Sequence, residues 1–224
     1  MCYSAGASFI GGVVISAIGV ATVKEVKKPS QVAFASIPLL FGIQQITEGF
    51  LWLALTDSGY AHLERVSTYL FLIMARIVWP AMIPLSVLLM EEGGSNKRLL
   101  SIFLAMGLSV SLYYSYCLLF LNVVPNIAGH HIQYISDFPE SLAVPVFIIY
   151  FVAVITPLFI SKNRRTRLLG VLMFLSCLVT AVLFFQYLTS VWCFFAAIIS
   201  VVVLWIVKEP GGQVDLPGPT PYTS

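Results

Sequence analysis

Two ionisable side chains stand inside long apolar stretches of the chain, Glu48 and Arg76. A charge within the hydrocarbon of a bilayer is costly, so such residues face a protein interior, a wet cavity or a partner. The two are opposite in sign and fall at similar depth on consecutive stretches, so an ion pair between them is the first expectation. Gln44, Glu48 and Trp52 recur every fourth residue and share one helix face, with Gln45 beside them. A carboxylate among two amides and an indole can hold a cation or a small ligand. In that arrangement Glu48 is a ligand or general base, Gln44, Gln45 and Trp52 contact the ligand, and Arg76 clamps an anion or carboxylate.

A second set of residue types suits a transition metal, zinc or copper: Glu48, His130, Cys2 and Cys193. These residues meet only if the segment 122–142 folds back over the mouth of a bundle. Adjacent His130 and His131 would point about 100° apart on a helix. One of the pair would therefore face a site. His130 and Tyr134 are spaced i, i+4 and would act together, His130 as metal ligand or acid/base and Tyr134 as a ligand contact. With Glu48, His130 completes the expected catalytic pair.

The elements that must position these groups are membrane helices. Hydrophobic residues make up 59% of the 224 positions and charged residues 10%, with a mean hydropathy of +0.94. Soluble domains carry about 45–50% apolar and about 25% charged residues. A soluble chain of this length could not bury so much apolar surface, so its partner is the lipid bilayer. The net charge of +2 and the lack of a basic stripe exclude nucleic acid. The four cysteines show neither a CxxC pair nor zinc-finger spacing.

Runs long enough to span are Ala5–Val23, Val32–Leu55, Val66–Met90, Leu99–Leu121 and Ala143–Ile160, followed by one stretch from Leu168 to Val207. As a single helix the last would measure about 60 Å, twice the bilayer core, so it folds back near Gln186–Ser190. The fold class is therefore an all-α integral membrane bundle of about seven transmembrane helices over residues 1–208. Segment 122–142 reads as an outer loop with residues able to form a short interfacial helix, and 209–224 as a Pro/Gly-rich disordered cytoplasmic tail. The first apolar run has no basic segment before it and reads as a retained helix rather than a cleavable leader.

Lys24, Lys27, Lys28, Lys97, Arg98, Lys162, Arg164, Arg165, Arg167 and Lys208 all fall at one side of this arrangement. The positive-inside rule makes that side cytoplasmic, with the N-terminus outside. Helix seven carries no lysine for a retinal Schiff base, and no HExxH, GxSxG or Walker motif occurs.

The opening Met1-Cys2-Tyr3-Ser4-Ala5, the run Pro38-Leu39-Leu40-Phe41-Gly42-Ile43-Gln44-Gln45, and Glu48-Gly49 with Trp52 resemble a family of uncharacterised bacterial multi-pass membrane proteins that open Met-Cys-Phe-Ser-Ala. Gly129-His130 and Val191-Trp192-Cys193 fit the same pattern. Tyr3 departs from its Phe, and His131 stands where a small polar residue is expected, which favours His130 as the functional histidine. The resemblance implies a multi-pass protein of a bacterial inner membrane and supplies no activity.

The leading functional expectation is an outward-facing polar site that binds a metal ion or small ligand, with membrane-embedded enzyme chemistry as an extension. The alternatives are a small-molecule or ion transporter gated by Glu48 and Arg76, and a structural or sensory scaffold.

Overall fold

A computed structural model describes residues 4–91, 94–129, 131–183 and 188–208, with the backbone alone described at 95, 180–183 and 188–196. Among the described residues there are seven long helical spans. They are α1 (Ala5–Lys24), α2 (Pro29–Thr56), α3 (Ser58–Met90), α4 (Gly94–Phe120), α5 (Glu140–Ile160), α6 (Arg164–Leu183) and α7 (Leu188–Lys208). Among the described residues, five helices, α1 to α5, are long and apolar enough to cross a membrane. Of the expected turn at Gln186–Ser190, Leu188, Thr189 and Ser190 are helical, while Gln186 and Tyr187 fall outside the described residues. Residues 184–187 and the tail from 209 lie outside the described residues.

Two spans are not uniform, and proline accounts for both. In α2 the chain turns at Ser36 before continuing as Ile37–Thr56, since Pro38 has no N–H to offer the carbonyl of Phe34. In α3 the segment Ile73–Val78 is a π-helix, and it precedes Trp79-Pro80. Pro80 has no N–H for the carbonyl five residues back, that of Ala75. The Tyr150 hydroxyl of α5 donates to that carbonyl at 2.9 Å. Ser111 Oγ of α4 lies 2.7 Å from the Ile77 carbonyl. Backbone groups freed at a helix irregularity are thus met by hydroxyls from neighbouring helices. Tyr150→Phe should leave the Ala75 carbonyl without that donor and cost about 0.6–2 kcal/mol, measured as a lower unfolding temperature in detergent.

Close packing depends on glycine at several places, two of which bear on the site. A Cβ on Gly107 of α4 would meet the Pro80 carbonyl oxygen, and one on Gly42 of α2 would meet Ser16 of α1. Small residues let membrane helices approach to backbone contact in this way.

Polar contacts gather the basic connections at one end. Lys208 pairs with Glu25 and Lys162 with Glu91, each at 3.8 Å. Asn96 Nδ2 reaches the Ile160 carbonyl at 3.4 Å. The Arg165 guanidinium sits 4.2 Å from the Trp205 ring centre. The main apolar core fills this half, built on Phe34, Ile83, Val87, Leu100, Leu158 and Val203 among others.

The opposite end is covered by a β-hairpin, where the sequence reading expected an outer loop able to form an interfacial helix. Strands β1 (Val123–Ala128) and β2 (His131–Ser136) pair antiparallel, Val123 with Ser136 through to Ala128 with His131. The i, i+4 spacing of His130 and Tyr134 suits a helix, but two equal β-branched runs around Gly129-His130 suit a two-residue hairpin loop better. Gly129 has a φ of 65°, the left-handed conformation such a loop needs. Pro125 is tolerated because a two-stranded ribbon has only edges.

The hairpin does fold back over the bundle. Ile132 packs with Leu51 and Trp52 of α2, and Tyr134 stacks on Phe71 of α3 with ring centres 5.4 Å apart. Beyond the hairpin, the first half of α5 stands away from its neighbours. Leu142, Val144 and Ile148 are exposed, and its buried residues begin at Ala153.

Candidate functional site

Between α2, α3, α4 and the exposed half of α5 lies a cavity of about 540 Å³. Phe41 and Gln44 line it from α2, and Arg76, Trp79 and Ile83 from α3. Tyr113 and Tyr114 line it from α4, and Ala143, Val144, Phe147, Tyr150 and Val154 from α5. Ser136, Phe138, Pro139 and Glu140 close the hairpin end.

The α2 wall is fixed to α3 by two contacts. Trp79 Nε1 donates to Gln44 Oε1 at 2.6 Å, and the Trp79 and Phe41 rings stack at 4.1 Å. Gln44 is 3% exposed, so both partners are buried where a hydrogen bond is costly to lose.

Arg76 is the cation of this cavity. It projects from the π-helical segment, and its guanidinium lies 5.1 Å from the ring centres of both Tyr114 and Phe138. These contacts draw the head toward the hairpin end, in the manner of a snorkelling arginine. Cation–π contacts hold its plane but leave its N–H donors unused. Among the described residues Arg76 makes no ion pair, and no hydrogen bond of its side chain is present. Glu140 lines the cavity rim and remains beyond ion-pair distance of it.

The expected Glu48–Arg76 pair is therefore absent. Glu48 is fully buried, and its Oε2 accepts from Gln45 Nε2 at 3.0 Å. It lies outside the cavity lining, although Gln44, one turn earlier on the same helix, faces the cavity. The physical reason lies in α3. A π segment holds one extra residue relative to an α-helix, which rotates the flanking turns by about 100°. Arg76 is aimed by that segment at α4 and the β2–α5 connection.

Of the other expected site residues, Gln45 is 1% exposed with its Oε1 lacking a hydrogen-bond partner, and Trp52 is 5% exposed with its Nε1 in the same condition. Tyr134 packs with Trp52 and Ile132 rather than in the cavity. Cys2 and His130 lie outside the described residues, and Cys193 falls in α7 with its side chain outside them. His131, the less favoured of the histidine pair, is buried at 8% exposure at the start of β2. Among the described residues no group of three or more His, Cys, Asp or Glu side chains forms a metal-binding cluster. The proposed metal set thus retains only Glu48 with a described side chain.

Sequence reasoning missed Trp79, Phe138 and Tyr150 as site residues. The signal for them was Arg76 followed closely by Trp79-Pro80, a charge beside a helix irregularity.

What the fold and cavity define is a multi-pass helical protein suited to a lipid bilayer, with a pocket under its hairpin that carries Arg76 in its wall and Glu140 at its rim. The chain belongs to a family of unknown function, DUF6629, whose model matches residues 1–214. No curated protein and no solved structure matches it.

Proposed function

We propose that the protein binds a small anionic ligand in the cavity under the hairpin, with Arg76 as the anion clamp and the aromatic walls taking the rest of the molecule. The observation that carries this reading is Arg76 itself, a half-buried guanidinium beside two neighbouring rings, facing a ligand-sized cavity without a carboxylate partner among the described residues. Sites for small ligands occupy about 300–1,000 Å³, mostly apolar with a few polar groups that orient the ligand. A guanidinium offers a planar fork that matches a carboxylate or phosphate in two parallel hydrogen bonds. Apolar surroundings strengthen such a contact relative to water.

In the same reading the hairpin end faces outward and the basic end lies in the cytoplasm of a bacterial inner membrane. Of the twelve Lys and Arg residues, all but Arg65 and Arg76 sit at the basic end or just beyond it. The ligand then enters from the outer side. The buried Gln45–Glu48 pair serves as a neighbouring structural contact.

Titration of the purified protein in phosphatidylcholine nanodiscs with benzoate and with methyl phosphate tests this directly. Trp79 lines the cavity, so its fluorescence is the readout, with Trp79→Phe as the blank. A saturable change with at least one of the two anions is expected. Its absence for both would remove the reading.

A further inference from the structure

The shape of the cavity says more about the ligand than its charge does. Its polar groups cluster at the hairpin end, where Arg76 is drawn toward Tyr114 and Phe138. Its lining then descends along one face of α5 from Ala143 to Val154, about 16 Å at 1.5 Å per residue. The far end is closed by apolar side chains, Ile83, Val154 and Met173. The cavity is therefore long, charged at one end and apolar at the other.

It is also open sideways. Val144 lines the cavity yet is 63% exposed, and Leu142 and Ile148 on the same half of α5 are 42% and 55% exposed. These residues belong to a helix long and apolar enough to span, so the medium beside this opening is lipid. A wholly water-borne solute would have no use for such an opening. An amphiphile already dissolved in the bilayer would.

We infer that the ligand is a single-chain acidic lipid, a carboxylate or phosphate on one long hydrocarbon chain, which enters laterally beside Val144 with its head on Arg76 and its chain along α5 toward Met173. This rests on the anion-binding reading above and specifies the ligand class of that site. Binding involves no bond chemistry. The head exchanges interfacial water for the guanidinium fork, and the chain exchanges bilayer for the apolar lining.

The test uses the full chain in phosphatidylcholine nanodiscs and an octadecanoate brominated at mid-chain, since bromine quenches a nearby indole. The expected result is saturable quenching of Trp79, displaced by unbrominated octadecanoate. It should weaken at least 10-fold in Arg76→Gln and in Val144→Phe, which narrows the opening. Benzoate binding should likewise weaken in Arg76→Gln, and monodisperse elution with unchanged helical circular dichroism checks that each variant folds. If benzoate binds but the brominated acid neither quenches nor competes, the lipid inference fails while the anion site stands. If a brominated octadecanol quenches as well as the acid, and Arg76→Gln changes neither, both fail. If neither probe binds, both fail again.

Discussion

Replacing Arg76 with Gln should weaken anionic-ligand binding about 10- to 100-fold while leaving the protein about as stable as before. The binding loss follows from a hydrogen bond to a charged group, worth about 1.5–3 kcal/mol, at about 1.4 kcal/mol per tenfold in affinity. Arg76→Lys should fall between the two, because an ammonium keeps the charge and loses the planar fork and its seat against the rings of Tyr114 and Phe138. The stability half of the prediction carries as much information. An arginine at the centre of a membrane span costs about 2.5–3.5 kcal/mol. Each cation–π contact returns about 0.5–1 kcal/mol where exposed and about 2 kcal/mol where desolvated. The two contacts together return about 1–4 kcal/mol, which offsets that cost, so Arg76→Leu should leave the unfolding temperature nearly unchanged. A residue that locks helix packing would show the reverse, with lower stability and no binding phenotype. Ligand titration beside a thermal melt separates the two.

Gly107→Ala should be severe for so small a change. The added Cβ meets a backbone carbonyl, that of Pro80, which cannot swing aside like the end of a flexible side chain. Either α4 or α3 must move. Overpacking of this kind costs about 1–3 kcal/mol. The displacement also reaches the site, since α4 carries Ser111 against Ile77 and Tyr114 against Arg76. Both the melting temperature and ligand affinity should fall. Gly6→Ala and Gly94→Ala, where a Cβ meets nothing within 4 Å, are the matched controls and should change neither.

The bundle was legible in the sequence because spanning helices need long apolar runs, and a run's length is visible without knowing its neighbours. The end bearing Lys24, Lys97 and Lys162 was legible for a similar reason, as charge is kept out of hydrocarbon. The covering of the opposite end by segment 122–142 was anticipated as a condition for a site, and the hairpin meets it, though as strands. There the residue types fitted two periods at once, and the two-residue loop at Gly129 was the deciding signal.

Arg76 and Gln44 were identified by chemistry, and both line the cavity. Their partners were not legible. Depth along a helix can be counted from its ends, but which neighbour a side chain faces depends on rotation, and one π segment over Ile73–Val78 changes that. Pro80 marked the irregularity without giving its direction. Trp79, taken as part of the apolar run, proved to be the hydrogen-bond partner of Gln44. The contribution of Cys2 and His130 rests on residues outside those described.

The central claim is that an anion occupies the cavity at Arg76, and photo-crosslinking with a benzoate carrying a diazirine locates it. Digestion and mass spectrometry of the labelled wild-type protein should place the adducts on α4 around Tyr113 and Tyr114 and on 136–150, with both lost when unlabelled benzoate competes or Arg76 is Gln. Competed labelling confined to other segments, such as the Gln45–Trp52 face of α2 or α7, would contradict the account and move the site away from Arg76.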